Sequence, residues 1–385
     1  MKRFALFCVF SVIILATCCG IMPNNILMVS ADSEGYSSKS VLLMDAESKE
    51  VLFEKASHER MPVASMVKMM TILLTLEEID SGALKLDDLI TTSEHAAGMG
   101  GSQVFIDPFV KYSVEDMLKS VIVASANDAS VALAEQIAGN EEAFVKQMNK
   151  RAKQLGMTDT NYVNCTGLPA PEQFSSAYDS AIVLGEVIGH DIYHKYSGIW
   201  MEDLVHPSGR KTGLVNTNRL IKYYEGCDGG KTGSTNEAGC CLAASAKRGD
   251  MRLISVVVGA KDSKTRFNEA SSLFNYGFAN FENISLVKLD EPLVTLDVAK
   301  GKVKTIELYA GEEFSVLVKK GQENSYTTKL VTPSAVKAPV RAGENVGKIE
   351  IYKDGVLVNQ VPIVTKVDLK KMSYMDSVKK IGEKW

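Results

Sequence analysis

Strand-like hairpin patterns occur at two distant places in this 385-residue chain, and the stretch between them has a mainly helical pattern. The first hairpin joins the apolar runs Val41–Met44 and Val51–Phe53 across polar turn residues. The second joins residues 240–246 to 252–259, while residues 63 to about 190 carry the helical pattern. A single sheet built from both ends of this region and flanked by helices would bury all of these apolar faces. The sequence therefore predicts an α/β fold with an inserted helical lobe.

A change of composition at about Ile284 marks a second structural unit. Short alternating runs separated by glycines are typical of a small all-β domain, so we assign a β-sandwich to residues 285–365. This unit contains no cluster of catalytic residue types, and we expect the chemistry to lie in residues 32–284. The runs are residues 305–308, 315–318, 348–352 and 356–361.

The last segment, residues 366–385, is of a third kind. Its six lysines and three acidic residues give it a net charge of +3, whereas the whole chain has a net charge of −4. A helix of this composition suits the surface of an anionic membrane, with Trp385 among the headgroups. We therefore predict an amphipathic membrane-associating helix over 366–385; a solvated helix, or one packed on the preceding domain, is the alternative. The apolar residues of its predicted face are Val367, Tyr374, Val378, Ile381 and Trp385.

The first 31 residues have the features of a secretory signal peptide. Lys2 and Arg3 precede an almost unbroken apolar run, and Val29-Ser30-Ala31 offers small residues for cleavage. The run is too short to span a membrane comfortably. We predict cleavage after Ala31 and export of the mature chain, with an uncleaved anchor or a core helix as the alternative.

Charge, cysteine and histidine content argue against several other classes of protein. The sequence pI of about 5.9 shows no basic surplus of the kind that nucleic-acid binders carry. The four cysteines after residue 31 are too few for a disulfide framework, and the adjacent pair Cys240 and Cys241 fits buried thiols in a strand. His190 and His194 have the spacing of a zinc-peptidase motif, but Asp191 replaces the required glutamate. We expect no metal and no cofactor.

Ser65 and Lys68 form the first candidate catalytic pair. They are separated by three residues at the start of a very apolar segment, so a helix would place the hydroxyl and the amine on one face. A lysine in apolar surroundings favours its neutral form, and a neutral amine is a general base. S-x-x-K begins at five serines in this chain, and only the copy at Ser65 opens an apolar helix.

Two further motifs follow in the chain. Ser125-Ala126-Asn127 lies between two helical patterns, where a hydroxyl and an amide on a tight loop can face one pocket. Lys231-Thr232-Gly233 precedes the second hairpin; on an edge strand its lysine and threonine would meet a substrate carboxylate, and its glycine would admit the substrate backbone. A second copy, Lys211-Thr212-Gly213, has a loop-like context, so we prefer Lys231.

These three motifs, in this order, resemble those of the penicillin-recognising serine acyl-transferases. Their surroundings look like the D-alanyl-D-alanine carboxypeptidases, the low-molecular-mass penicillin-binding proteins, strongly over about residues 35–280. That resemblance implies a β-lactamase/transpeptidase-like sheet, with the β-domain and tail matching the family layout in outline. The segments that carry it are Ala124–Ala129, Leu155–Met157, Thr166–Pro169, Asn216–Leu220, Asp228–Gly233 and Ala238–Gly239.

The resemblance also implies roles for individual residues. Ser65 would be the nucleophile that attacks the carbonyl between two terminal D-alanines, and Lys68 would accept its proton. Ser125 would relay a proton to the leaving amine, and Asn127 would hold the substrate amide. Lys231, together with Thr232, would bind the terminal carboxylate.

Two positions are less defined by the resemblance. The backbone N–H groups of Ser65 and Ser234 would form the oxyanion hole, with the role of the Ser234 side chain left open. Arg266 matches a recurrent basic position that would assist carboxylate binding, and a solvated charge on a helix is an equally good interpretation.

Three functions remain open at this stage. The first is a D,D-carboxypeptidase that trims peptidoglycan stem peptides through a Ser65 acyl-enzyme. Such an enzyme would be inhibited by β-lactams and would act at the outer face of the bacterial cytoplasmic membrane or in the cell wall. The second is a β-lactamase of similar fold, which needs a carboxylate to activate the deacylating water; no E-x-x-x-N run lies between Asn161 and Gly189. The third is a non-catalytic wall-binding or sensor protein, for which an intact Ser65–Lys68 pair would have no use.

Overall fold

The structure, a computed structural model, describes residues 35–374. The signal-peptide prediction for residues 1–31 lies outside this part of the chain. The helices of residues 35–374 are α1 (Lys68–Asp80), α2 (Glu94–Ala97), α3 (Val114–Ala124), α4 (Asn127–Ala138), α5 (Glu141–Gln154), α6 (Ala177–Val187), α7 (Asp191–Ser197), α8 (Leu220–Tyr223) and α9 (Ser263–Asn280), with short 3-10 turns at Ala64–Val67 and Glu323–Ser325.

The strands that precede Phe281 are short except for three long ones near the end of this region. They are β1 (Ser40–Asp45), β2 (Val51–Lys55), β3 (Leu89–Thr91), β4 (Lys111–Ser113), β5 (Met201–Val205), β6 (Lys211–Val215), β7 (Cys227–Thr235), β8 (Gly239–Arg248) and β9 (Met251–Ala260).

One five-stranded antiparallel sheet, in the order β2-β1-β9-β8-β7, organises this region. β1 pairs with β9 along its whole length, from Ser40 opposite Val258 to Asp45 opposite Leu253, so the N-terminal hairpin joins the C-terminal strands. Within residues 35–374, β7 pairs only with β8 and therefore forms an edge of the sheet. This topology confirms the predicted α/β fold with a helical lobe between its two groups of strands.

The sheet is buried on both faces, and the alternation along β1 shows how. Leu42 and Met44 pack into a core shared with α1, α3, α4 and α6, whereas Val41 and Leu43 pack into a second core with Phe274 of α9. All four β1 side chains are at most 1% exposed. A strand buried on both faces is apolar without interruption, which is why residues 41–44 read as a continuous apolar run.

One local expectation was wrong. Residues 211–213 form part of strand β6, which pairs with β5, and not a loop. Lys211 is exposed there, and its Nζ lies 3.4 Å from Asp203 Oδ2. Residues 206–210, which include one proline and one glycine, form the hairpin turn before it. A two-stranded ribbon with an exposed face has no uniform apolar pattern by which the sequence could indicate it.

The C-terminal region is an all-β unit that begins with β10 directly after α9, four residues earlier than predicted. Its main sheet has the order β14-β16-β17-β12-β11-β15, and β10 pairs with β13 separately. Ile349, Ile351, Val361 and Ile363 lie in its buried core. Its strands are β10 (Phe281–Val287), β11 (Val294–Ala299), β12 (Thr305–Ala310), β13 (Phe314–Lys319), β14 (Tyr326–Val331), β15 (Ala335–Lys337), β16 (Asn345–Lys353) and β17 (Val356–Val364).

The predicted helix over 366–385 is wrong for its first part. Residues 366–373 are not helical: Leu369 is 3% exposed and bridges to Val340, while Lys371 bridges to Gly301. The buried Leu369 anchors this stretch to the β-domain, whereas Val367, the first residue of the predicted apolar face, is 54% exposed. Residues 375–385 lie outside the described part, where the prediction stands untested. Across residues 35–374, no helix combines the length and apolarity needed to cross a membrane.

Candidate active site

The Ser65 turn lies between two segments that approach it closely. Ser65 is in the 3-10 turn that leads into α1, and Ala64 before it has a left-handed φ of 49°. A Cβ atom on Gly167 would lie 2.1 Å from the carbonyl oxygen of Ala64, and one on Gly233 would lie 2.4 Å from that of Val63. Only glycine permits such contacts, so the loop after α5 and strand β7 hold the turn from two sides.

Lys68 lies beneath Ser65 in the protein interior. It is 0% exposed, and its Nζ is 2.9 Å from Ser65 Oγ and 2.5 Å from the carbonyl oxygen of Thr166. Burial lowers the pKa of Lys68 to about 7, although the charges of Cys165 and Asp128 act in the opposite direction. A large fraction of the amine is therefore neutral near neutral pH, where its lone pair can accept the Ser65 proton.

Ser125 and Lys231 form a second pair in the same cleft. Ser125 ends α3 in a left-handed conformation, with φ 61°, and its Oγ accepts a hydrogen bond of 2.6 Å from Lys231 Nζ. Lys231 is 1% exposed. Burial and the nearby charges of Lys68 and Arg266 lower its pKa well below the ordinary value. A negative group that enters the cleft would oppose these effects and favour the charged form of Lys231.

Asn127 begins α4 with half of its side chain unpaired. Its Nδ2 donates to the carbonyl oxygen of Gly100 at 2.6 Å, which fixes the orientation of the amide. Its Oδ1 is buried and has no hydrogen-bond partner among residues 35–374. An unpaired buried acceptor is costly, so this oxygen is available to a donor supplied by a ligand.

Thr232, Gly233 and Ser234 follow Lys231 on the edge strand β7, and Arg266 of α9 holds this segment. Arg266 Nη1 donates to the carbonyl oxygens of Gly233 and Cys241, both at 3.1 Å, and to Ser234 Oγ at 3.2 Å. The side chain is 6% exposed, so the solvated-charge interpretation of Arg266 is wrong. Its guanidinium lies at the wall of the cleft beside the threonine and serine hydroxyls.

The start of β7 is fixed by a polar network that sequence reasoning did not identify. Asp228 accepts hydrogen bonds of 2.6 Å from both Ser245 and Arg252. The hydroxyl of Tyr193 accepts from the backbone N–H of Gly230 at 2.8 Å, and Asn218 donates to the carbonyl oxygen of Gly229 at 3.1 Å. These contacts fix the backbone just before Lys231 and so position its side chain in the cleft.

A cleft of about 720 Å³ joins these groups, and it brings in residues that the sequence did not single out. Trp200 and Tyr223 meet edge to face with ring centroids 6.1 Å apart, and Lys222 Nζ lies 5.1 Å from the Trp200 ring. The resemblance drew attention to residues 216–220 without giving them a role; three of them line the cleft. The lining comprises Ser65, Ser102, Ser125, Trp200, Val215, Asn216, Thr217, Arg219, Tyr223, Thr232, Gly233, Ser234, Ser263, Arg266 and Phe267.

Comparison with known proteins assigns both parts of the chain. A model of the D-alanyl-D-alanine carboxypeptidase family matches residues 28–262, and a model of the penicillin-binding protein 5 C-terminal domain matches residues 281–371. D-alanyl-D-alanine carboxypeptidase DacF of Bacillus subtilis is 42% identical over 351 residues, which cover 91% of this chain and 90% of that protein. DacC of Escherichia coli is 36% identical over 357 residues, with 91% and 88% covered.

Solved structures agree with these matches. Penicillin-binding protein 5 from Haemophilus influenzae superposes with a TM-score of 0.70 and 31% identity, covering 87% of this chain and 98% of that one. Penicillin-binding protein 6B from Escherichia coli gives a TM-score of 0.69 and 30% identity, with 86% and 96% covered. The chain therefore belongs to the D-alanyl-D-alanine carboxypeptidase family of serine peptidases, the low-molecular-mass penicillin-binding proteins.

Proposed function

We propose that Ser65 is the nucleophile of this serine D-Ala-D-Ala carboxypeptidase and that Lys68 is its general base. The observation that carries the proposal is the 2.9 Å contact between Ser65 Oγ and a fully buried Lys68 whose pKa is about 7. As Ser65 Oγ bonds to the carbonyl carbon between the two terminal D-alanines, its proton passes to the neutral amine of Lys68. The backbone N–H groups of Ser65 and Ser234 stabilise the oxyanion, a role supported by the close approach of β7 to the Ser65 turn.

Ser125 and Lys231 complete the acylation step. The C–N bond breaks as the nitrogen of the departing D-alanine takes up, through Ser125, the proton that Lys68 accepted from Ser65, and this returns Lys68 to its neutral form. Lys231 contacts Ser125 at 2.6 Å. A water molecule then attacks the acyl-enzyme, with Lys68 accepting its proton, and the shortened stem peptide leaves while Ser65 regains its hydroxyl. The same neutral amine serves both half-reactions.

Substrate binding uses the polar and charged groups that surround the cleft. The terminal carboxylate is bound by Lys231 and Thr232, with Arg266 beside them as a permanently charged guanidinium. Asn127 Oδ1, which lacks a partner among the described residues, accepts the N–H of the substrate amide. Gly233 lets the peptide backbone lie against β7, where the open edge of the sheet offers hydrogen bonds.

The decisive experiment is mass spectrometry of the purified protein after exposure to penicillin. We expect a stable adduct on Ser65, and none in Ser65→Ala, which changes one atom and leaves the fold intact. Rapid turnover of penicillin without an adduct would favour a β-lactamase instead. Absence of both adduct and turnover would favour a non-catalytic wall-binding protein.

The cellular setting is part of the proposal. We propose that the chain is exported, loses residues 1–31, and acts on peptidoglycan stem peptides at the outer face of the cytoplasmic membrane or in the cell wall. In this division residues 32–280 are catalytic, residues 281–371 form the β-domain, and the segment that follows associates with the membrane surface. The sequences of the two chain ends support this cellular setting. We expect β-lactams to inhibit the enzyme.

A further inference from the structure

One end of the β-domain gathers lysines from three separate segments. Gly301 bridges to Lys371, and two backbone hydrogen bonds continue this contact: Lys302 N–H to the carbonyl of Lys370 at 3.2 Å, and Met372 N–H to the carbonyl of Lys300 at 2.8 Å. The lysine-rich turn after β11 and the lysine-rich segment after β17 therefore lie side by side.

The third segment is β15, on the same side of β11. Lys337 pairs with Ala299, the residue before Lys300, and the N–H of Ala338 donates to the carbonyl of Ala299 at 3.0 Å. The three segments thus bring six exposed lysines to one end of the domain. We call this surface the basic end; it consists of Lys300, Lys302, Lys304, Lys337, Lys370 and Lys371.

Most of this charge is not neutralised within the fold. The side chains of Lys300, Lys304, Lys337, Lys370 and Lys371 make no ion pair or hydrogen bond with any of residues 35–374. Lys366, by contrast, contacts Asp290 at 2.9 Å and lies 4.3 Å from the ring of Tyr309. Like charges gathered on one surface create a positive potential, which favours the binding of an anionic partner.

Exposed apolar side chains lie between the lysines. Val303 stands between Lys302 and Lys304 and is 49% exposed, and Val367 is 54% exposed. The chain also leaves the described structure at this end, through Tyr374, which is 82% exposed. Lysines interspersed with apolar side chains match the headgroup and acyl boundary of a lipid bilayer better than they match a purely polar polyanion.

We propose that the basic end is a docking surface for an anionic phospholipid bilayer, and that it acts in addition to the terminal segment. The proposal rests on the membrane-surface location proposed above and extends it to a rigid face of the β-domain. Each lysine held within a Debye length of an anionic surface contributes about five-fold in affinity. Three such lysines contribute about a hundred-fold.

The test measures binding of the mature full-length chain to sedimented vesicles of phosphatidylcholine, with or without about one third phosphatidylglycerol. The variant carries Lys300→Gln, Lys304→Gln and Lys371→Gln, and its matched control carries Lys150→Gln, Lys153→Gln and Lys329→Gln, which remove the same charge from exposed positions elsewhere. We expect the first variant to bind anionic vesicles about a hundred-fold more weakly and neutral vesicles unchanged. The control should lose less than about five-fold.

Two outcomes would overturn the proposal. One is an equal loss of binding to anionic vesicles in both variants, which would show that the net charge of the protein, and not the position of the lysines, determines binding. The other is unchanged vesicle binding together with weakened binding to soluble polyphosphate, which would assign the basic end to a phosphate polymer. Penicillin acylation of Ser65 is measured in the same samples; it reports on the proposed active site alone, so the two proposals fail separately.

Discussion

Replacing Lys68 with arginine tests the proposed base most directly, because the change keeps a positive charge and a similar reach. With a pKa of about 7, about half of the Lys68 side chains are neutral at pH 7. At the ordinary lysine value of ~10.4 the neutral fraction at pH 7 would be roughly one in 2,500. An arginine has an ordinary pKa of ~12.5 or higher and keeps its proton in proteins, so well under about one molecule in a thousand would be neutral at pH 7. We therefore expect Lys68→Arg to slow acylation by at least about a hundred-fold.

The assay is the second-order rate constant for acylation by penicillin, followed by mass spectrometry from about pH 5.5 to about pH 9. The pKa of Lys68 is lowered, so its active neutral form accumulates as the pH rises. The wild-type rate should therefore increase about ten-fold per pH unit below pH 7 and level off above it. Lys153→Arg, on the exposed surface of α5, is the control. Acylation of Lys68→Arg at more than a tenth of the wild-type rate, or a flat wild-type profile, would refute the assignment of Lys68 as base.

Three further changes probe the walls of the cleft. Arg266→Ala should raise KM about 10- to 100-fold for a peptide ending in a carboxylate and much less for its amide, since the guanidinium acts on charge; equal effects on both would contradict this. Gly167→Ala places a methyl group 2.1 Å from the carbonyl oxygen of Ala64. Calorimetry should therefore show that the free energy of unfolding falls by about 3 kcal/mol or more. The control is Gly100→Ala, which has open space around the new methyl group and should lose under about 1 kcal/mol. Arg219→Gln removes an exposed cation from the cleft, so kcat/KM should fall a few-fold at low salt and not at high salt; a salt-independent loss would point to a direct contact.

The sequence allowed the fold to be predicted where burial and periodicity agree. The apolar run 41–44 and the second hairpin were recognisable because both faces of these strands are buried. The wrong assignments fall where local pattern and tertiary contact diverge. Leu369 reads as part of an amphipathic helix, yet it fills a gap in the β-domain core, which no local pattern reveals.

The site was predictable to the extent that its groups are close in sequence. Ser65 and Lys68 lie three residues apart, so helical geometry alone brings them together. The 2.6 Å contact between Ser125 and Lys231 joins residues from separate elements, and the sequence placed them in one pocket only through resemblance. Trp200 gave no signal, because an aromatic residue in a loop can line a cleft or lie on the surface with the same neighbours in sequence.

The pairing of β1 with β9 has a consequence for how the chain is made. These neighbouring strands in the middle of the sheet come from opposite ends of the catalytic region, so the sheet cannot close until residue 260 has been synthesised. Contacts of such high sequence separation form slowly, because a long loop must be ordered before they are gained. For a chain proposed to cross the membrane before it folds, late closure is an advantage: a translocation channel needs an unfolded polymer. The topology thus delays assembly of the sheet, and with it the burial of the active-site lysines, until most of the chain has left the translocation channel.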